Sequence, residues 1–194
     1  MMKKLLAIGA AALMLLGSGC VFSRNDYVEN AEFDLELPKR HVEQFRVGVF
    51  RNLSGSDRRV LVRRGDGQVV PLEYQRWRLS PELLLQRCIY GAFDIVPDNV
   101  KDAPRLNAVV YRFEFDERDN KAHLAVDFQI PDFRDPASRE TVRPSPITIR
   151  VDVAVPVKDS DDLGAARAAA MSECARLAVE KIQRDLICRR RYGK

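Results

Sequence analysis

Three stretches in the second half of the chain alternate between apolar and polar residues, which is typical of β-strands that bury one face. These stretches are residues 109–115, 122–130 and 147–155. In the first stretch the alternation predicts one buried face made of Val109, Tyr111, Phe113 and Phe115. The link between the first two stretches, 117–121, is short and polar, so we expect them to form an antiparallel hairpin.

Shorter apolar segments predict further strands in the first half of the chain. Phe45, Val47 and Val49 occupy alternate positions, and a short strand is expected at 33–37. Apolar runs at 60–62 and 69–70 flank a turn that contains Gly65, Asp66 and Gly67. Asp-Gly between apolar runs is a strong hairpin signal, because glycine accepts a positive φ. We therefore assign these three turn residues a structural role.

Two amphipathic helices are predicted, one in the middle of the chain and one at its end. The first follows Ser80, a favourable N-cap, and opens with Pro81, which suits the first helical position. The second spans about 161–189, with Ser160 as its cap. The apolar faces consist of Leu84, Leu85, Cys88, Ile89 and Ala92 in the first helix, and of Met171, Cys174, Ala175, Ala178, Ile182 and Leu186 in the second.

Together these elements predict an α/β fold of the α+β type. We expect a two-layer sandwich in which a mixed, mainly antiparallel sheet carries both amphipathic helices on one face. The domain is expected at residues 43–190, followed by a basic tail at 191–194.

The composition supports a globular protein of one domain. The chain has 194 residues, of which 46% are hydrophobic and 31% are charged. This profile excludes a disordered or fibrous protein. The formal charge of +4 is small and spread along the chain, so no nucleic-acid partner is expected.

The first twenty residues are organised like a secretory signal. Lys3 and Lys4 precede twelve apolar residues, whereas a membrane-spanning helix needs about 20. Small residues follow, and then Cys20. We interpret 1–19 as a lipoprotein signal peptide, Cys20 as a lipid-attachment site for palmitate-type acyl chains, and 20–42 as a lipidated tether. The alternative is an ordinary secreted protein with a cysteine near its start.

The residue after this cysteine, Val21, indicates a location. In enteric bacteria an aspartate at this position retains a lipoprotein in the inner membrane. Val21 therefore favours the outer membrane, with the domain facing the periplasm. Loss of the signal would remove Lys3 and Lys4 and lower the formal charge from +4 to +2.

Three cysteines remain beyond Cys20. Cys174 and Cys188 are fourteen residues apart on one predicted helix, or about 21 Å, which is too far for a disulfide. Cys88 and Cys174 lie on the core-facing stripes of two helices. They either form a bridge in the oxidising periplasm or remain buried free thiols.

No arrangement of catalytic or metal-binding residues stands out. The two histidines are His41, in the predicted tether, and His123, on the polar side of a strand. The sequence lacks a nucleophile elbow, a zinc-type histidine pair and a glycine-rich phosphate loop. Arg64-Gly65-Asp66 spells an integrin-binding tripeptide, but a turn favours these residue types for conformational reasons. We therefore expect no enzyme activity, no cofactor and no metal.

Several short motifs follow one another in a recognisable order. The hairpin at 59–67 precedes Tyr74-Gln75-Arg76-Trp77, and an amphipathic helix then begins at Pro81. Phe113-Glu114-Phe115 lies in a later strand, and an alanine-rich helix ends the chain. In this order, and after Cys20, the motifs resemble those of the ABC-type transport auxiliary lipoprotein family, the PqiC-like proteins. The chain departs from that family at its early Tyr-x-Leu segment and in its lipobox, where Gly replaces Leu.

The resemblance implies a function and a set of partners. It implies an outer-membrane lipoprotein that faces the periplasm and serves as a non-enzymatic docking component of an MCE-type ABC intermembrane lipid-transport system. The implied partners are an MCE-type protein or a permease, together with further copies of the chain in a homo-oligomeric ring. It also implies that Trp77 is structural, with its ring packed where a strand meets a helix.

A second class of proteins offers an alternative function. Val47-Gly48-Val49-Phe50-Arg51-Asn52, followed by a serine-containing loop, resembles outer-membrane assembly lipoproteins of the lipopolysaccharide-assembly type. Such a protein would plug or chaperone a β-barrel. Co-purification with a large β-barrel would distinguish it from the transport auxiliary.

Overall fold

The computed structural model describes residues 29–100, 102–133 and 145–192. In these ranges the chain forms eight strands and two helices. The strands are β1 (Ala31–Phe33), β2 (Gln44–Asn52), β3 (Arg59–Arg63), β4 (Val69–Trp77), β5 (Asp94–Ile95), β6 (Arg105–Asp116), β7 (Lys121–Phe133) and β8 (Ser145–Pro156). The helices are α1 (Pro81–Ala92) and α2 (Leu163–Tyr192).

The described strands belong to one mixed sheet. The two longest pairings, β6–β7 and β7–β8, are antiparallel and form a meander, and β3 pairs antiparallel with β4 as a hairpin. The predicted hairpins are therefore confirmed. Shorter parallel pairings add β1 beside β4 and β5 beside β2.

Two strands share one edge of β6. β2 runs parallel to the first half of β6, and β3 runs parallel to its end at Phe115 and Asp116. As the chain leaves β2, the Leu53 N–H donates a hydrogen bond to the Val110 carbonyl oxygen at 2.8 Å. The chain then returns to the same edge as β3. β6 therefore joins the two halves of the sheet.

Both helices cover the same side of the sheet, which we call the inner face. α2 packs on β7 and β8, and α1 packs on β2 and β6. Every residue of the two predicted helical stripes is buried in one continuous core. The predicted two-layer α+β sandwich is thus confirmed. The side of the sheet without helices is called the outer face below.

The predicted alternation of β6 is wrong in its first half. Val110 faces Val126, but the next paired residue is Arg112, so Tyr111 is the extra residue of a β-bulge. Tyr111 is 48% exposed, and Val109 is only partly buried. The buried inner-face residues of β6 are instead Leu106, Ala108, Val110, Phe113 and Phe115.

The helix starts differ from the predictions in their capping. α1 begins at Pro81 as predicted, but the Ser80 hydroxyl donates to Glu82 Oε1 at 2.5 Å and makes no cap hydrogen bond. In α2, Asp162 Oδ1 accepts a hydrogen bond from the Ala165 N–H at 2.9 Å. Asp162, not the predicted Ser160, therefore fills the N-cap role.

Residues 31–42 pack on the domain, so the predicted tether, which extended to residue 42, ends too late. β1 covers 31–33, earlier than the strand expected at 33–37. Leu35 is buried in the core. The His41 N–H donates to the Ala92 carbonyl oxygen at the end of α1, at 2.6 Å.

Other predictions fall outside the described residues. These are the signal peptide (1–19), Cys20, and residues 193–194 of the basic tail. The first part of that tail belongs to α2, which continues to Tyr192. Within the described ranges, neither helix combines the length and apolar character needed to span a membrane.

Candidate functional site

The outer face carries buried ionisable groups although neither helix of the described residues covers it. Glu114, Asp116, His123 and Asp127 are only 5%, 4%, 9% and 6% exposed. Strand alternation places these side chains opposite the apolar residues of the inner face. Since a buried charge is costly without a partner, each of them needs hydrogen bonds.

Arginine side chains supply most of these hydrogen bonds. Four residues of this network lie on β3 and β6, and three lie in the β6–β7 turn and on β7. We define the outer-face cluster as Arg63, Arg112, Glu114, Asp116, Arg118, Asp119 and His123.

Glu114 lies between two guanidinium groups. Arg63 Nε donates to Glu114 Oε1 at 2.9 Å, and Arg112 Nε donates to the same oxygen at 2.6 Å. Both arginines remain partly exposed and lie over the carboxylate. The Arg63–Glu114 ion pair therefore connects β3 to β6, in addition to the backbone pairing of the two strands.

Asp116 is held by the turn that joins β6 to β7. Arg118 donates to both of its oxygens, from Nε at 3.0 Å and from Nη2 at 2.7 Å, and the Arg118 backbone N–H adds a bond of 3.0 Å. Charge-assisted bidentate pairs of this kind are strong. The side-chain hydrogen bonds from Arg118, outweighing the effect of burial, hold the pKa of Asp116 well below its usual range.

The hydrogen bonds of His123 fix its tautomer. Arg112 Nη1 lies 3.1 Å from His123 Nδ1, and because a guanidinium can only donate, Nδ1 accepts. The proton of the neutral ring is then on Nε2, which donates to Asp119 Oδ2 at 3.2 Å. His123 therefore links Arg112 on β6 to Asp119 in the turn.

Part of this cluster has the residue types of a metal site. Ligand atoms of Asp116, Asp119 and His123 lie within 4.8 Å of one another. However, Arg118 occupies both oxygens of Asp116, and His123 Nε2 carries a proton toward Asp119. A divalent ion would have to displace a bidentate guanidinium. The donor set therefore fits an arginine–carboxylate network better than a metal centre.

The same geometry limits the chemistry of the cluster. A general base needs a carboxylate free to accept a proton from a substrate, with a pKa near the working pH. Glu114 and Asp116 are both bonded to guanidinium groups, and the pKa of Asp116 is lowered. The side chains of the outer-face cluster are thus held in fixed positions at the surface of the sheet, and they are poorly suited to acid–base catalysis.

The turn predicted from Gly65, Asp66 and Gly67 lies beside this cluster. The Gly67 N–H donates to the Arg64 carbonyl, and Asp66 Oδ1 accepts from the Gln68 N–H at 2.9 Å. Of the three predicted turn residues, only Gly67 has a positive φ, of 89°. The Gly67 carbonyl accepts a hydrogen bond from Arg63 Nη1 at 3.1 Å, which connects the turn to the cluster.

Trp77 lies at the end of β4, shortly before α1, and is fully buried. Its ring meets Phe113 edge-on at 5.1 Å and stacks near Phe115 at 6.3 Å. Phe33 of β1 contacts it edge-on at 6.4 Å. Its indole N–H has no acceptor among the described residues. Trp77 is therefore an inner-face residue, on the opposite side of the sheet from the outer-face cluster.

The described cysteines are free thiols. Cys88 and Cys174 are both buried, and no bridge joins them, whereas Cys188 is exposed. Burial raises the pKa of both buried thiols to about 12. Of the two alternatives left open by the sequence, the structure thus contains the buried free thiols.

The outer-face cluster was not predicted from the sequence, because alternation marks one face of a strand as polar but does not show which of its side chains are buried. A signal was present: Arg112, Glu114 and Asp116 recur at every second position and carry opposite charges. The sequence did not show the register in which β6 pairs with β7 and β3. Glu114 pairs with His123 across the hairpin, and Asp116 pairs with Arg63 across the parallel edge.

Comparison with known proteins identifies a shared fold. No family model matches the chain, and no curated protein matches it. One similar solved structure is an uncharacterized protein, with a TM-score of 0.58 and 15% identity over 81% of this chain and 99% of the other. Another is a Xanthomonas campestris protein of the family DUF330, with a TM-score of 0.53 and 17% identity over 81% of this chain and 94% of the other. At these identities the likeness shows the fold alone.

Proposed function

We propose that this protein is a lipid-anchored, periplasm-facing docking component of an MCE-type ABC intermembrane lipid-transport system, and not an enzyme. One observation carries the proposal: a lipobox-like cysteine, a hairpin, a Tyr-x-x-Trp segment and an amphipathic helix follow one another in the chain. In the structure, the last three form one continuous unit, from β3 through β4 to α1.

We assign docking to the outer face. The helices occupy the inner face, whereas no described element packs on the outer face, whose charged side chains are fixed by hydrogen bonds to one another. A surface ordered in advance loses little side-chain freedom when a partner binds. The partner would be an MCE-type protein or a permease, and a homo-oligomeric ring would present several such faces together.

Tyr111 gives this face an exposed aromatic contact point. The β-bulge turns its side chain outward, near Arg150 on β8. Tyrosine is enriched in protein interfaces because it combines a large apolar ring with a polar tip. We therefore place Tyr111 at the centre of the docking surface.

Site-specific photo-cross-linking in intact cells tests this assignment. A photoreactive amino acid replaces Tyr111 in one variant and Tyr90 in the matched control, because Tyr90 is equally exposed, at 52%, but lies on α1 in the helical layer. We expect a cross-linked MCE-type protein or permease from position 111, several-fold more than from position 90.

Other outcomes would contradict the proposal. Equal cross-linking from both positions would argue against the outer face as the docking surface. If neither position captured a transport component, the docking function itself would be wrong. Capture of an outer-membrane β-barrel would favour the assembly-lipoprotein alternative.

A further inference from the structure

The outermost strand, β8, has one unpaired edge. β8 pairs with β7 along its length, and no other strand of the described chain lies beyond it. With 12 residues it is long for an exposed edge, which most proteins keep short or cover. Its free N–H and C=O groups form a template for a further strand.

The register of the β7–β8 ladder shows which residues present these groups. The Val157 N–H donates to the Asn120 carbonyl oxygen at 2.8 Å, one position beyond the last paired residues. Hydrogen-bonded pairs recur at every second residue of an antiparallel ladder, so the odd-numbered residues of β8 bond to β7. The residues whose backbone groups point to the free edge are Thr148, Arg150, Asp152 and Ala154.

Two prolines mark the ends of this free edge. Pro146 and Pro156 are even-numbered and so belong to the positions whose backbone groups face the free edge. The missing N–H of each proline therefore costs no hydrogen bond to β7. This is where an edge strand tolerates proline. The segment 147–155 between them is free of proline, and its central residue is Val151.

We propose that two copies of this chain pair through the free edges of β8, antiparallel, around a two-fold axis at Val151. In this register, Arg150 of each copy faces Asp152 of the other, and Thr148 faces Ala154. Every outward N–H between the two prolines then meets an outward carbonyl of the other copy. The contact is the same on both copies, so this edge joins copies in pairs, and the proposed homo-oligomeric ring would need a second contact between such pairs.

The charges select this register over its neighbours. If the axis is centred on Arg150, the Arg150 side chains of the two copies lie opposite each other. If it is centred on Asp152, the two Asp152 carboxylates lie opposite each other. Like charges directly opposite each other destabilise a strand pair. Either shift also places a proline opposite Ala154 or Thr148, where an N–H is needed.

The side chains are available for these contacts. Asp152 is exposed and has no ion-pair partner among the described residues. Arg150 uses Nε and Nη2 to bind Asp127, at 3.0 and 3.3 Å, and its Nη1, which has no acceptor among the described residues, can donate to the other copy. On the inner face, Val153 and Val155 are only partly buried. They would face Ile149 and Ile147 of the other copy.

Disulfide trapping in intact cells tests the register. The chain carries Thr148→Cys and Ala154→Cys together, which places thiols of opposite copies on Cα atoms about 5.5 Å apart, within disulfide range. Within one chain the two positions are about 20 Å apart, too far to bridge. We expect a disulfide-linked dimer from the double variant, and only the background of the unsubstituted chain from either single variant.

The charge match is tested by sedimentation of the full chain in detergent. Asp152→Arg should weaken the dimer by about tenfold or more, because it sets like charges opposite each other twice. Glu73→Arg, the same change at an exposed position of β4, should have no effect. Mixing Asp152→Arg chains with Arg150→Asp chains should restore dimers, because the mixed pair again has opposite charges.

Several results would overturn the proposal. These are a monomeric parent chain at every concentration, an equal loss of dimer with Glu73→Arg, and equal cross-linking by the single cysteine variants. Trapping of a different polypeptide at position 148 or 154 would show that the edge binds another partner instead of a second copy.

Discussion

A single carboxylate, Asp116, shows how the uncovered face of the sheet holds buried charge. Its two oxygens are bonded to the Arg118 guanidinium, and the side chain is almost fully shielded from water. In the unfolded chain an aspartate titrates near its reference pKa of about 3.9. Because the folded-state pKa is lower, this carboxylate stabilises the fold above that value, and the contribution is lost as the pH falls toward the folded-state pKa.

We expect Asp116→Asn to lower the free energy of unfolding at pH 7 by roughly 1–3 kcal/mol, since the Arg118 guanidinium loses the charged acceptor to which it is bonded. The difference from the parent should shrink as the pH is lowered from 5 to 3. Chemical denaturation at several pH values measures both effects.

The control for this experiment is Glu73→Gln, at an exposed strand position without an ion pair among the described residues. It should leave the free energy of unfolding unchanged within about 0.5 kcal/mol. A destabilisation by Asp116→Asn that is as large at pH 3 as at pH 7 would contradict the electrostatic explanation.

At the scale of elements, the β3–β4 hairpin depends on one of its two turn glycines. Gly67 has a φ of +89°, whereas Gly65 has none in the left-handed region, and an added Cβ would meet no atom within 4 Å at either position. Packing is therefore equal at the two sites, and only backbone conformation differs.

This difference predicts the effect of alanine at each site. Gly67→Ala should lower the free energy of unfolding by about 1–2 kcal/mol, because an L-residue is strained at positive φ. Gly65→Ala should change it by less than about 0.5 kcal/mol. Thermal or urea unfolding of the two variants gives the comparison, and equal effects would refute the assignment of the turn geometry to Gly67.

The elements also show what the sequence could and could not predict. Alternation located β6, β7 and β8 because each is long and has one apolar face. It could not locate the bulge at Tyr111, since the residues on both sides are apolar and the extra residue is visible only in the pairing with β7. β5, with two residues, is too short to have a period.

At the scale of the whole molecule, the layers were predictable and the outer-face cluster was not. Two amphipathic helices and a sheet with one apolar face have few ways to pack, so the sandwich follows from the pattern. The cluster joins residues from β3, β6 and β7 whose proximity depends on strand order. β6 receives β2 and β3 on the same edge, and no local pattern in the chain encodes that arrangement.

The predicted lipid anchor concerns the whole molecule and has a direct test. Cys20→Ala should abolish labelling of the chain by radioactive palmitate and move the chain from the membrane fraction to the soluble fraction. The reason is that the acyl chains expected to anchor the protein are attached to Cys20. Cys188→Ala, at an exposed cysteine of α2, is the matched control and should leave both properties unchanged. Continued membrane association of Cys20→Ala chains would refute the anchor.

The contact between Phe33 and Trp77 has a mechanical consequence for a chain anchored at its N-terminal side. Tension from the membrane would enter the domain at β1, which is bound to β4 by three parallel residue pairs. A force along β1 acts parallel to β4, so all three residue pairs resist it at the same time. The contact of the Phe33 ring with Trp77 in the core resists it as well. If this clamp released, residues 31–42 would add about 40 Å of extended chain. The other strands would remain paired, so detachment of β1 would lengthen the segment between the membrane and the docked domain without unfolding the rest of the sheet.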